Sequence, residues 1–151
     1  MPDRLITAFT RCGRGRSHNQ DCVGIGDRVF TGDMQSPETM AIAKDQCILL
    51  LADGMGGHVH GAHASSSVVA ALASIPEQIF FDRDLCVANI RKANANLYRL
   101  MDKTPDARGM GSTLVGMTLS GANLAIFNIG DSPVSTGQVS CWSCRSETRR
   151  V

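Results

Sequence analysis

The sequence lacks a charge excess, a long apolar run and any internal repeat, and each absence removes a class of protein. Formal net charge is +1, and the fifteen Lys and Arg residues are scattered until the last ten positions. No basic stripe is left for nucleic acid or a membrane surface. The segment Met1 to Thr7 has no apolar h-region, and no window approaches the length needed to span a bilayer. The expectation is a soluble, cytoplasmic protein. Six cysteines could form a disulfide framework, but without a secretory signal the default is reduced thiols, with Cys12, Cys22, Cys47 and Cys86 as packing or surface residues. Cys141 and Cys144 are not followed by a second Cys-x-x-Cys or a close His pair, which argues against zinc. No Lys-Ser/Thr follows the glycines near position 56, and no Gly-x-Gly-x-x-G opens the next helix, so nucleotide binding fits poorly.

What remains is an ordinary globular composition, 43% apolar and 19% charged over 151 residues, enough for one domain with a core. Asp21 to Phe30 predicts a strand or hairpin bending at Gly24 and Gly26, and Thr31 to Lys44 reads as a loop. Cys47 to Ala52 is a continuous apolar run, predicted as a strand buried on both faces and ending at Asp53. His60 to Ile75 predicts a helix of small side chains, closed by Pro76. Between Arg83 and Met101, Cys86, Ile90, Ala93, Leu97 and Leu100 recur at three and four residues, giving a helix with one apolar stripe. Thr113 to Leu119 and Ala122 to Ile129 form a hairpin around Ser120-Gly121. Strands, a helical block and strands again predict an α+β sandwich.

An aspartate directly after a buried strand and before glycines sets a carboxylate where backbone can approach a ligand closely. Asp53-Gly54-Met55-Gly56-Gly57-His58 has this form. Mg²⁺ and Mn²⁺ suit such a place, because they take oxygen ligands and keep several waters. Taken alone, the segment is equally compatible with a tight turn capped by Asp53.

Two further segments bear on that choice: Arg16-Ser17-His18-Asn19-Gln20-Asp21, and Gly111-Ser112-Thr113 with Gly130-Asp131-Ser132. In this order, the set resembles the motif series of the metal-dependent type 2C (PPM) serine/threonine protein phosphatases, bacterial members above all, over roughly Arg11 to Val134. The resemblance implies an α-β-β-α sandwich, of which residues 1–134 would be the N-terminal half to two-thirds. It implies a two-metal centre of Mn²⁺ or Mg²⁺, with Asp53 bridging, Gly54 offering its carbonyl, and Asp21 binding a metal or its water shell. Arg16 would hold the substrate phosphate through paired hydrogen bonds. The implied reaction is hydrolysis of phosphoserine and phosphothreonine in proteins by metal-activated water. A cognate serine/threonine kinase is a further implied partner, and no nucleic acid or membrane is. His58 is the candidate general acid, although a histidine there can equally cap a helix or face solvent; His60 and His63 are weaker candidates. Asp131 and Ser132 are expected to shape a turn near the cleft, the aspartate accepting backbone hydrogen bonds.

The match departs from the family at Gln20, where glutamate is usual, and at Pro133, where arginine is common. An amide brings no charge, so metal contact there should be weaker or pass through water. After Asp131 the only acidic residue is Glu147, whereas the family completes its metal centre with later aspartates. Residues 135–151 read as a tail outside the domain. Back-translating Val134 to Cys144 with permitted codons gives, in a shifted frame, Leu-Tyr-Arg-Pro-Gly-Glu-Leu-Leu-Val-Leu, a strand, turn and strand; this suggests a frameshift near Val134. The expected chain is a phosphatase with weak or no activity. The alternative is a non-catalytic module binding phosphoproteins or a kinase partner through Arg16.

Overall fold

The structure, a computed structural model, describes residues 4–42, 46–56, 58–135 and 143–145, and of His58, Val59 and 143–145 only the backbone. Strand β1 (Arg4–Ala8) pairs antiparallel with β4 (Glu38–Ile42) in a two-stranded sheet. A larger sheet is built from β2 (Asp21–Ile25), β3 (Arg28–Thr31), β5 (Gln46–Met55), β7 (Leu114–Ser120), β8 (Asn123–Ile129) and β9 (Ser143–Arg145), in the order β3-β2-β5-β7-β8-β9. Short β6 (Gly111–Ser112) also pairs with β5. All pairings are antiparallel except β8 with β9. Helices α1 (His58–Ala73) and α2 (Arg83–Lys103) complete an α+β fold.

Strand alternation divides the larger sheet into two unlike faces. Cys22, Ile48, Leu50, Ala52, Leu114 and Phe127 pack with Ala64, Val68, Val69 and Leu72 of α1 and with Cys86, Ala93 and Leu97 of α2. The stripe predicted for the second helix is therefore the face that meets the core. Asp82 caps α2, its carboxylate accepting the Asp84 and Leu85 N–H groups. Phe127 stacks on Phe80 at 5.3 Å and lies over Gly116, where a Cβ would come within 2.0 Å of the ring. On the opposite face, Val23, Ile25, Cys47 and Leu49 pack with Ala8, Ile6, Met40 and Ile42 of the small sheet. That cover is incomplete: Leu51 is 41% exposed, and an apolar cavity of about 270 Å³ lies between Ile6, Phe9, Leu49, Val115 and Met117.

Four expectations change. The predicted loop over residues 31–44 contains β4, whose partner β1 lies more than thirty residues earlier; a short strand with a distant partner leaves little local signal. The central strand does not end at Asp53 but continues to Met55, because β6 supplies new partners through Gly54↔Ser112 and Met55↔Gly111. It is also not buried on both faces, as Leu51 shows. The hairpin turn sits one residue later than predicted, with Gly121 at φ +57° and Ser120 paired to Asn123. Cys22, Cys47 and Cys86 are buried and Cys12 is half-buried. Among the described residues no helix is long and apolar enough to cross a membrane.

Candidate metal centre and phosphate site

Asp21 opens β2 and stands directly opposite Asp53 of β5 in the antiparallel register. Alternation turns both toward the face away from the helices, where their charges meet. Burial first, and the neighbouring Asp53 charge second, push the Asp21 carboxyl above its ordinary value, while a hydrogen bond from Thr10 lowers it in part. Two hard carboxylates in mutual repulsion form a donor set that a divalent cation would relieve, so the residues present fit such an ion. Among the described residues no group of three or more His, Cys, Asp or Glu side chains could hold a metal.

One cavity of about 590 Å³ brings the predicted residues together: Arg16, Asp21, Asp53 and Gly54 line it, with Asp131 and Thr113. Arg16 sits in an exposed loop held by short-range bonds. Its N–H donates to the Gly13 carbonyl (3.0 Å), and the Cys12 thiol donates to its carbonyl (3.2 Å). The Cys12 N–H in turn donates to Asp33 Oδ1 (2.7 Å). Among the described residues the one ion pair joins Arg28 to Glu38, so Arg16 has no carboxylate partner there.

The floor of the cavity is fixed more tightly. Thr113 lies opposite Asp53, between β6 and β7: its Oγ1 accepts the Asp53 N–H (3.0 Å), and its own N–H donates to the Asp53 carbonyl (2.9 Å). Thr113 Oγ1 also meets Ser132 Oγ (2.8 Å), and Asn128 Nδ2 donates to the Ser132 carbonyl (2.6 Å). On the other side, the Gln20 carbonyl accepts both the Gly54 N–H (3.1 Å) and the hydroxyl of buried Ser65 (2.6 Å). Gly54 is close against α1, where a Cβ would fall 1.9 Å from the Gly61 carbonyl oxygen. Only glycine admits that approach.

Several sequence readings are refined here. Gln20 lies with its side-chain amide against Gly61 on α1. Asp131 is exposed on the cavity, and among the described residues no backbone N–H reaches its carboxylate; Ser132 makes the turn's bonds instead. His58 opens α1, but its side chain lies outside the described residues. His63 is exposed, and neither it nor His60 lines the cavity, whereas His18 does. Thr10, Asn19 and Ser65 were missed as site-holding residues. Asn19 stood in the first motif without a role, Thr10 lay before it, and Ser65 looked like one more small residue of a helix.

The chain belongs to the protein phosphatase 2C family, whose sequence model matches residues 14–146. It is 38% identical over 135 residues to the serine/threonine protein phosphatase PstP of Mycobacterium tuberculosis (strain H37Rv), covering 85% of this chain and 22% of PstP. The serine/threonine phosphatase stp of Listeria monocytogenes serotype 4b is 28% identical over 126 residues, covering 80% of this chain and 44% of its own. Among solved structures, the PstP catalytic domain in complex with two manganese ions aligns with TM-score 0.58 and 29% identity, over 85% of this chain and 48% of that one. The Streptococcus agalactiae serine/threonine phosphatase aligns with TM-score 0.61 and 27% identity, over 85% and 49%. The chain spans less than half the length of these two curated relatives and about half of these solved chains.

Proposed function

We propose that the chain forms the N-terminal part of a cytoplasmic, metal-dependent protein serine/threonine phosphatase acting on phosphoserine and phosphothreonine. The observation that carries this reading is the single cavity lined by Arg16, Asp21, Asp53 and Gly54. Asp53, Asp21 and the Gly54 carbonyl would hold Mn²⁺ or Mg²⁺. Such a cation, when bound, lowers the pKa of water and neutralises charge on phosphoryl oxygens. Arg16, at the rim, would bind two phosphoryl oxygens through its planar guanidinium, orienting the ester. His58, at the start of α1, is the proposed proton donor to the departing Ser or Thr oxygen. A phosphorylated protein is the substrate, and a cognate serine/threonine kinase is the proposed functional partner.

Activity of this chain is expected to be weak or absent, since its described donor set stops at two carboxylates and a carbonyl. Isothermal titration with Mn²⁺ should show binding that Asp53→Ala abolishes; no binding by the wild-type chain would sink the metal-centre reading. Mn²⁺-dependent hydrolysis of p-nitrophenyl phosphate, lost in Asp53→Ala, would overturn the expected inactivity while supporting the site.

The absence of a three-ligand group among the described residues also favours a second reading, a non-catalytic module that binds phosphoproteins or a kinase through Arg16. It requires phosphopeptide binding that survives chelator and disappears in Arg16→Ala. We further read residues 1–134 as the domain part and 135–151 as a non-domain tail with a frameshift near Val134 as its proposed origin, a reading against which stands the family match that continues to residue 146. The pairing of Ser143–Arg145 with β8 is compatible with this, because an open sheet edge recruits nearby backbone whatever its origin. The gene decides: codons 134 to 144 that cannot be read in the shifted frame remove the idea.

A further inference from the structure

One residue that reaches the paired carboxylates precedes the stretch matched by the family. Thr10 follows β1, is 5% exposed, and places its Oγ1 at 3.3 Å from Asp21 Oδ2. Its surroundings give that hydroxyl a direction. Asn19 Nδ2 donates to Thr10 Oγ1 (3.0 Å) and to the Gly32 carbonyl (2.9 Å). With an N–H already pointed at its oxygen, the Thr10 hydrogen is left for Asp21 Oδ2, the other acceptor in reach being Asn19 Oδ1 at 3.5 Å. Asn19 Oδ1 meanwhile accepts the Asp21 N–H (3.0 Å), so the pair grips Asp21 at backbone and side chain together. The Thr10 carbonyl accepts the Met34 N–H (2.9 Å), which ties this grip to the β3–β4 connection.

We propose that Thr10 is a positioning residue for metal binding: its hydroxyl, aimed by Asn19, holds the Asp21 carboxylate in one orientation and leaves the other oxygen to the cation. This rests on reading Asp21 as a ligand. Hydrogen bonds behind a ligating carboxylate fix its orientation before the ion arrives, and their loss weakens metal affinity. A hydroxyl and a methyl have nearly the same size, so Thr10→Val removes the bond while keeping the shape.

The test uses the full 151-residue chain and Mn²⁺, with free aqueous Mn²⁺ counted by electron paramagnetic resonance. Thr10→Val should raise the Kd roughly tenfold, and Thr10→Ser should restore it to within about twofold. An unchanged Kd in Thr10→Val, or a loss that serine does not rescue, overturns the proposal. Thr10→Ala, which leaves room for a water, takes its place if the valine variant does not unfold cooperatively. A second measurement needs no metal: a double-mutant cycle of Thr10→Val with Asp21→Ala, in urea with chelator present. Coupling of roughly fivefold in the unfolding equilibrium is expected, and strict additivity overturns the contact itself. A wild-type chain that binds no Mn²⁺ overturns the ligand role of Asp21 and this proposal with it. Coupling in the cycle would still show that the failure lay with the metal reading and not with the contact.

Discussion

Asp21 and Asp53 face each other across two strands, yet the chain holds them in different ways. Asp53 sits inside β5, and Thr113 takes both its backbone groups, so its Cα cannot move without breaking the sheet. Asp21 sits at the first residue of β2 and is held through its side chain by Thr10 and through its N–H by Asn19. One residue is anchored through its backbone, the other through its backbone N–H and its carboxylate together. A rigid anchor and an oriented partner suit a site in which one group shares a ligand and the other sets an approach. The difference also predicts unequal costs: damage on the Asp53 side should be felt as lost fold, and damage on the Asp21 side as lost binding.

The sharpest way to break this contrast is Gly54→Ala. A methyl there meets the Gly61 carbonyl oxygen at 1.9 Å and the Gln20 carbonyl oxygen at 2.9 Å, both backbone atoms that cannot swing aside. The expected loss is about 3 kcal/mol of stability, read from urea denaturation. A variant as stable as the wild type would mean that α1 is not seated on β5 as described. Next in size is Thr113→Val, which leaves the Asp53 N–H without its acceptor and Ser132 Oγ without its partner. It should lose about 2 kcal/mol. Thr113→Ser should recover most of that, and equal damage in both variants would point to packing in place of the hydrogen bonds.

How much of this was readable in advance follows the same divide. The Asp53 side was legible because its chemistry is local: an apolar strand, an aspartate and glycines are contiguous, and the glycines at 54 and 56 have close neighbours that explain them. The α2 stripe was legible for the same reason, since a helix repeats its face every three or four residues. β1, β4 and Thr10 were not, because their partners lie eleven to thirty-eight residues away and nothing in either segment announces the other. Asn19 shows the intermediate case. Its place in the motif was plain, but its work is a bond to Thr10 and one to Gly32, visible only once the segments that follow β1 and β3 are brought together. Residue type points to Asp131 as a turn aspartate, but among the described residues no backbone N–H reaches its carboxylate, and it is the Ser132 hydroxyl that ties the turn to the Thr113 side chain.

The smallest expected effect gives the most discriminating test, because its sign depends on which force governs Asp21. Burial and the Asp53 charge raise its carboxyl pKa in the folded chain above the 3.8 of an unperturbed aspartate. In the metal-free state, the folded chain then keeps its proton to higher pH than the unfolded chain. Stability therefore falls as pH rises from about 3.8 through the raised folded value, and the penalty stays in place above it. Asp21→Asn removes the charge but keeps an oxygen for Thr10. With chelator present at pH 7 its urea midpoint should lie slightly above that of the wild type, and the gap should close as pH drops below the ordinary aspartate range. Saturating Mn²⁺ should reverse the order, since only the wild-type chain gains binding free energy. A variant less stable than the wild type without metal would show that the hydrogen bond from Thr10 to the charged carboxylate outweighs the repulsion from Asp53. Asp21 would then be a structural aspartate that happens to face another, and not a ligand kept under tension for a cation.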